Sequence, residues 1–483
     1  MIRPPTQDEI ENTLLPKTVR GWENFNSETV DGKVRLLDVE GEIPKALNAV
    51  FVRNGPGLSV VHGTPLVHPI DGDGLVVKLT LCNAQAYFQA RFVQSNMHVE
   101  ESKAKRMLYK GSMGTKVPAG TQSKPGFRDP AHTNVFLHGN QLFATYEYTL
   151  PHVLDFDSLE TLGPCSKQDE LELKTMSAHF KVDVQLRRHV TVSFKPATPP
   201  NCQGKISFYE WDLQDNTKLL EVARLELEHV NYAHDFMLTP NWYVVHVTPF
   251  VDTTMATFKQ IARGELAPGE TMKYSPELPS QFVFIQRHLR AGQVDREVIR
   301  LDTEPCHIFH FANCRENAMD GTITFEACCL PTKFTMQWQH KAFLSNTADA
   351  PGVMYSYRAN PQTLSMVRRT LPGLETTSCE FPTTHPFRHC VPLDQSHITT
   401  KFFYLMSSPP GQALPFSDVV KYDTCTLTQQ RWRCENGIVG EPCFLPRGTG
   451  LEEEEDDGYV VVQTYLYQVH KSQFVVLNAK TMQ

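Results

Sequence analysis

No apolar run of about 18 residues or more interrupts the sequence, so nothing in it reads as a bilayer-spanning helix. The first ten residues, Met1 to Ile10, have no apolar core and carry acids early. They read neither as a signal peptide nor as a transit peptide, and the expectation is a cytoplasmic protein. No C-x-x-C pair occurs, and among twelve cysteines only Cys328 and Cys329 are adjacent. That pattern excludes a zinc ribbon and a disulfide framework and reads as reduced thiols. No Lys/Arg run is present and the net charge is −8, which argues against a nucleic-acid partner. Missing too are a G-x-S-x-G elbow, a P-loop, a dinucleotide glycine fingerprint and an H-E-x-x-H pair. The usual hydrolase, NTPase, dehydrogenase and metalloprotease readings go with them.

What is present is β-structure. With 41% hydrophobic and 21% charged residues over 483 positions, the chain can bury a large core. Strand-like runs appear near 33–39, 48–53, 75–80, 86–92, 133–147, 189–194, 205–211, 219–226 and 233–248. More follow near 281–287, 297–302, 322–329, 399–405, 418–422 and 458–478, separated by turns such as Asp31-Gly32, His138-Gly139-Asn140 and Asp320-Gly321. Strands at this density over this length favour an all-β propeller over a sandwich, although no clean repeat of roughly 40–50 residues is visible. Two segments read as helix: 6–14 behind Thr6, and 253–263 closed by Gly264. Segments 407–416 and 435–450 read as loops, and the acidic run Glu452–Asp457 as a solvated turn.

Three histidines share a setting, each in an apolar segment near a turn. They are His179 in Ser-Ala-His-Phe-Lys, His234 in Tyr-Ala-His-Asp-Phe, and His310 in Ile-Phe-His-Phe-Ala-Asn. Imidazole is the commonest metal ligand, and propeller strands can bring residues 55 and 76 positions apart to one axis. By themselves these histidines read more often as hydrogen-bonded core or surface residues than as ligands. The turns Arg53-Asn54-Gly55-Pro56 and Asp71-Gly72-Asp73-Gly74 read as places where glycine supplies positive φ. The second lacks the twelve-residue spacing and closing glutamate of a calcium loop.

The flanking residues carry a resemblance. Phe51-Val-Arg-Asn-Gly-Pro-Gly, His68-Pro-Ile-Asp-Gly-Asp-Gly, Thr133-Asn-Val and Leu142-Phe-Ala-Thr-Tyr-Glu precede the three histidine motifs. Cys379-Glu-Phe-Pro, Gly440-Glu-Pro, Glu455-Asp-Asp-Gly and Val476-Leu-Asn-Ala-Lys follow them. In this order, from about Leu15 to Ala479, the chain resembles the carotenoid cleavage oxygenase family.

The resemblance implies one domain over 1–483, a seven-bladed β-propeller with a helical and loop cap on its top face. It implies one Fe(II) per chain, with His179, His234 and His310 as metal ligands and His307 outside that set. Glu147, Glu380 and Glu441 match the carboxylates that orient the imidazoles; without the resemblance each reads as solvent-exposed. The family's fourth histidine lies beyond the segment matching Val476-Leu-Asn-Ala-Lys, and this sequence stops at Gln483. The expectation is therefore a three-histidine site and a last sheet short of its closing strand; His470 does not match the fourth ligand.

The implied reaction is cleavage of a conjugated C=C bond in a carotenoid or apocarotenoid by O₂, giving two carbonyl products. Stilbene cleavage, retinoid isomerisation and a binding-only propeller stand as alternatives. An apolar polyene is taken from membranes, so weak peripheral contact is expected. The candidate tunnel-mouth residues are Phe250, Val251, Met255, Phe258 and Ile261; the last three recur every three residues on one helical face. A helix packed on the propeller top fits that pattern equally well. The particular substrate and the oligomeric state are left open.

Overall fold

In the strand Trp242–Val247 every residue is buried, and successive side chains leave on opposite faces. Tyr243, Val245 and Val247 join a cluster with Val190, Val192, Ile206 and Phe208 of the preceding sheet. Trp242 and Val244 join another with Phe311, Ile323 and Phe325 of the following sheet. The next strand, Ser280–Gln286, divides the same way: Val283 and Ile285 to one side, Phe282 and Phe284 to the other. A sheet that buries both faces needs continuous apolar strands, which is why simple alternation is faint in this sequence. Each such Phe, Val or Ile contributes roughly 1.5–3 kcal/mol by leaving water.

The computed structural model describes residues 38–45, 47–165, 175–198, 203–228, 233–248, 255–263, 265–271, 280–331, 352–388, 390, 400–409, 412, 415–448 and 453–483, with the strands Ser27–Val30 and Lys33–Leu36. Seven antiparallel sheets succeed one another along the chain, beside one small two-stranded ribbon. The second to sixth are four-stranded meanders in sequence order. The fold is a seven-bladed β-propeller.

The chain divides into two units. The first comprises 1–178, 252–272 and 467–472 and holds the first two sheets. It also holds both described α-helices, Asn96–Ala104 and Met255–Ala262. Gly72 and Gly74 lie here, and the expectation of positive φ fails for them. Gly72 has φ −84°, and a Cβ there would stand 2.3 Å from the Leu58 carbonyl oxygen. At Gly74 it would stand 2.5 Å from the Ala131 carbonyl oxygen. Close backbone approach demands these glycines. Gly55 sits within the strand Ala49–Pro56, not in a turn.

The second unit comprises 179–251, 273–466 and 473–483 and holds the third to sixth sheets and most of the seventh. The strands Phe180–Asp183, Phe236–Leu238, His307–Glu316 and Cys379–Thr383 open the third to sixth sheets and pack side by side in that order. Segment 435–450, expected to be loop, contains the strands Gly437–Val439 and Cys443–Pro446. Both pair with Gly458–Leu466, along successive stretches of one edge. Too short to show a period, they escape a pattern search. The acidic run is not simply solvated either. Glu455 is buried and accepts the N–H groups of Lys401 and Phe402, while Asp456 pairs with Lys421 at 2.6 Å. Burial pushes the Glu455 carboxyl up to about 7 despite those N–H donors and Arg388.

Candidate metal centre

Three of the four opening strands position the three histidines, at their entry or within them. His179 immediately precedes Phe180–Asp183, and His234 lies two residues before Phe236–Leu238. His310 lies inside His307–Glu316, where the register against Ile323–Leu330 shifts between Ile308 and Phe311. There Phe309 and His310 together face a single partner residue. Such a bulge turns a side chain away from the alternation of its strand.

The three imidazoles converge. His179 Nε2 lies 3.0 Å from His234 Nε2, which lies 3.2 Å from His310 Nε2. One nitrogen from each ring falls within 4.8 Å of the other two. The rings meet edge-on, with centroids 4.6–4.9 Å apart. His307 goes elsewhere: its Nδ1 bonds the Thr248 hydroxyl at 2.9 Å.

The acids expected behind the imidazoles are placed differently from one another. Glu380, on the strand Cys379–Thr383, is buried, and its Oε2 accepts the Nδ1–H of His310 at 2.6 Å. The same oxygen accepts the N–H of Phe381 at 2.6 Å, and Phe381 has φ +53°, a left-handed conformation uncommon for a bulky residue. The strand's register shifts at this point, so the carboxylate and the Phe381 ring both turn toward His310, the ring centroids 4.7 Å apart. Glu441, on the link between Gly437–Val439 and Cys443–Pro446, is exposed, and its charge favours protonated His310. Glu147 is buried in the first unit, where its charge acts on His132, Tyr146 and Tyr148. Solvent exposure thus fails as a reading of Glu147 and Glu380 and holds for Glu441.

The electrostatics separate the ligand candidates. Burial drives the His179 pKa well below its ordinary value, with the Asp235 charge acting in the opposite sense. Burial also opposes charge on His310, but Glu380, through charge and hydrogen bond, and Asp235 outweigh it and the pKa rises. Asp235 and Lys181 lie inside the histidine motifs, but the sequence assigned them no role. The trace they leave in the sequence is an acid directly after His234 and a base two residues after His179, both at apolar strand starts. Phe309 adds an aromatic wall, its ring 5.2 Å from that of His234.

Of the tunnel-mouth candidates, Met255 and Phe258 are exposed on the helix Met255–Ala262, and Ile261 is half-buried. Phe250 and Val251 lie outside the described residues. Among the described residues no helix is long and apolar enough to cross a membrane.

Known proteins share this organisation. The family profile described as retinal pigment epithelial membrane protein matches residues 24–483. Apocarotenoid-15,15'-oxygenase of Synechocystis sp. is 29% identical over 502 residues, covering 99% of this chain and 94% of that protein. Resveratrol cleavage oxygenase 1 of Aspergillus fumigatus is 26% identical over 469 residues, covering 93% and 88%. The crystal structure of cobalt-substituted Synechocystis ACO matches with a TM-score of 0.80 at 26% identity, over 97% of this chain and 94% of that one. The sequence landmarks, the seven sheets and the family profile agree, and the chain belongs to the retinal pigment epithelial membrane protein family, that of the carotenoid cleavage oxygenases.

Proposed function

We propose that this protein is a non-haem Fe(II) dioxygenase cleaving a conjugated C=C bond of a carotenoid or apocarotenoid. The carrying observation is the convergence of His179, His234 and His310 with Glu380 behind His310. The donor set fits the ion. Three neutral imidazoles within reach of one point would hold a divalent iron ion. The observed Nε2 separations are 3.0 and 3.2 Å. With its Nδ1–H given to Glu380, neutral His310 presents the lone pair of Nε2 inward, toward the other two rings. Three imidazole nitrogens turned on one another would hold a cation between them.

An iron ion held by His179, His234 and His310 would supply activation of dioxygen. The chain's own residues hold, orient and shield. Glu380 fixes the tautomer and direction of His310 and raises its basicity. Phe309 and Phe381 cover the ring faces and edges of His234 and His310 and keep that side apolar, suited to a polyene. The reaction balances without another reductant: the double bond breaks, and each alkene carbon gains one oxygen atom of O₂ as a carbonyl.

A stilbene is the second reading, favoured by the 26% identity to the resveratrol cleavage oxygenase. The exposed Met255 and Phe258, with Lys259 and Arg263 beside them, support weak peripheral contact with a bilayer holding the substrate. The test begins with iron per chain, after anaerobic loading with Fe(II) and removal of excess. Near one iron per chain is expected, lost in His179→Ala, His234→Ala and His310→Ala. Polyene and stilbene substrates are then compared under ¹⁸O₂, with label expected in both carbonyl products of a polyene. A folded protein that retains no iron would overturn the proposal, and turnover of the stilbene alone would replace the substrate.

A further inference from the structure

One buried carboxylate reaches all three histidine segments. Asp235 follows His234 directly, and its Oδ1 accepts the N–H of Phe236 at 2.8 Å. The same Oδ1 pairs with Lys181 Nζ at 2.9 Å, and Lys181 stands two residues after His179. Its Oδ2 accepts the N–H of Phe311 at 3.2 Å, and Phe311 follows His310. The anchor points are thus one residue from His234, one from His310 and two from His179. Lys181 lies on the strand Phe180–Asp183 and His179 at its entry, two residues before it. The Asp235 side chain is 2% exposed and that of Lys181 is 14% exposed. Neither group is placed there for solvation. The Lys181 ammonium also lies 5.7 Å from the centre of the Phe236 ring, so its position is set by the strand Asp235 opens.

We infer that Asp235 is a positioning residue for the metal centre: it ties the three histidine segments in register, so that the three Nε2 atoms meet. Its acceptors suit the task. A carboxylate has lone pairs for several donors at once, and Asp235 takes three from three directions. Lys181 pairs with that charge, and beside its bracing contacts Asp235 still favours charge on His179 and His310. This role is separate from that of Glu380, which touches an imidazole directly. The inference rests on the metal-binding reading above.

The experiment uses cobalt(II) as the probe, with affinity from competition titration and coordination from visible absorption. Wild type, Asp235→Asn and Lys181→Met are compared, with circular dichroism and Tm as controls. Asparagine keeps the shape and one acceptor oxygen but leaves Lys181 without its ion pair. The expected result for Asp235→Asn is a folded chain binding cobalt about 10- to 100-fold more weakly, with altered d–d bands. Adding Lys181→Met to Asp235→Asn removes the stranded ammonium and restores part of the affinity. Wild-type affinity and bands in Asp235→Asn would overturn the inference. Should Asp235→Asn fail to fold, Lys181→Met alone decides: changed bands support the inference and unchanged bands overturn it. Failure of wild type to bind cobalt would instead overturn the metal reading itself.

Discussion

Two groups of histidines lie in the second unit, all buried save the half-buried His179, and they are held in different ways. His179, His234 and His310 turn their Nε2 atoms on one another, with Glu380 on the far side of His310 and Asp235 tied to all three segments. His246 and His307 instead share the Thr248 hydroxyl, at 3.2 and 2.9 Å, and His246 faces the Cys306 thiol at 3.9 Å. Burial is common to both groups, so it discriminates nothing. Burial alone depresses His246, to about 3, and burial with neighbouring imidazoles depresses His307. A carboxylate bonded behind the ring, as Glu380 is behind His310, marks the inward-facing group.

The largest break in that comparison comes from removing one ring of each group. His310→Ala is expected to abolish site-bound iron, whereas His246→Ala keeps near one iron per chain. His246→Ala costs about 1–3 kcal/mol of stability, because His246 packs 5.1 Å from Phe282 in the core. Elemental analysis beside denaturant unfolding reads both, and iron loss in His246→Ala would erase the distinction.

A second pair removes the supports and leaves the rings. Glu380→Gln should weaken Fe(II) binding by about 10- to 100-fold. Thr248→Val should leave iron affinity unchanged and cost about 1–3 kcal/mol, since two imidazole nitrogens lose their shared hydroxyl. Competition titration against a chelator distinguishes the two outcomes.

The pH dependence of the metal-free protein sharpens the contrast by sign. His246 is depressed from 6.5 to about 3, so it stabilises the fold above about pH 6.5, and that stability drains away as pH falls toward 3. His310 is raised, so its contribution is full below pH 6.5 and is lost as pH climbs through its folded value. His246→Gln should therefore flatten the acid limb of stability by about 3 kcal/mol between roughly pH 6.5 and 4. Urea midpoints across that range check it; an unchanged acid limb would mean that His246 is not the group being protonated.

The smallest effect lies away from both groups. Met255→Ser with Phe258→Ser should lower binding to neutral-lipid vesicles a few-fold and leave iron content untouched. Vesicle co-sedimentation measures it.

The three histidines were legible because each stands in a motif with its own flanking residues, in an order shared with a family. Their geometry was not legible. His307–Glu316 has no period-two pattern, because both faces are buried and a bulge interrupts the strand at His310. Cys379–Thr383 is a five-residue strand broken by the Phe381 kink, so Glu380 gave no local sign of facing inward. The helix Asn96–Ala104 escaped for another reason. It is capped by Ser95, whose hydroxyl accepts the His98 N–H, but its buried residue is Glu101, not an apolar stripe. Glu101 is held by Arg128 at 2.7 Å and by the N–H groups of Leu108 and Tyr109, all beyond the helix itself. Asp235 belongs to the same class: its meaning lies in partners 54 and 76 residues away, and local pattern contains none of it.

The division of each central strand between two neighbouring clusters has a consequence for how the second unit could come apart. Sheets four to six keep no face to themselves, since each gives half its apolar side chains to the sheet before and half to the sheet after. Chain continuity is then a minor part of what joins them. The hairpin between Val353–Asn360 and Ser365–Thr370 is topped by Leu364, 67% exposed, where a protease could cut without touching a cluster. Both fragments would still share the fifth sheet and its two apolar seams, and would stay together as a nicked complex.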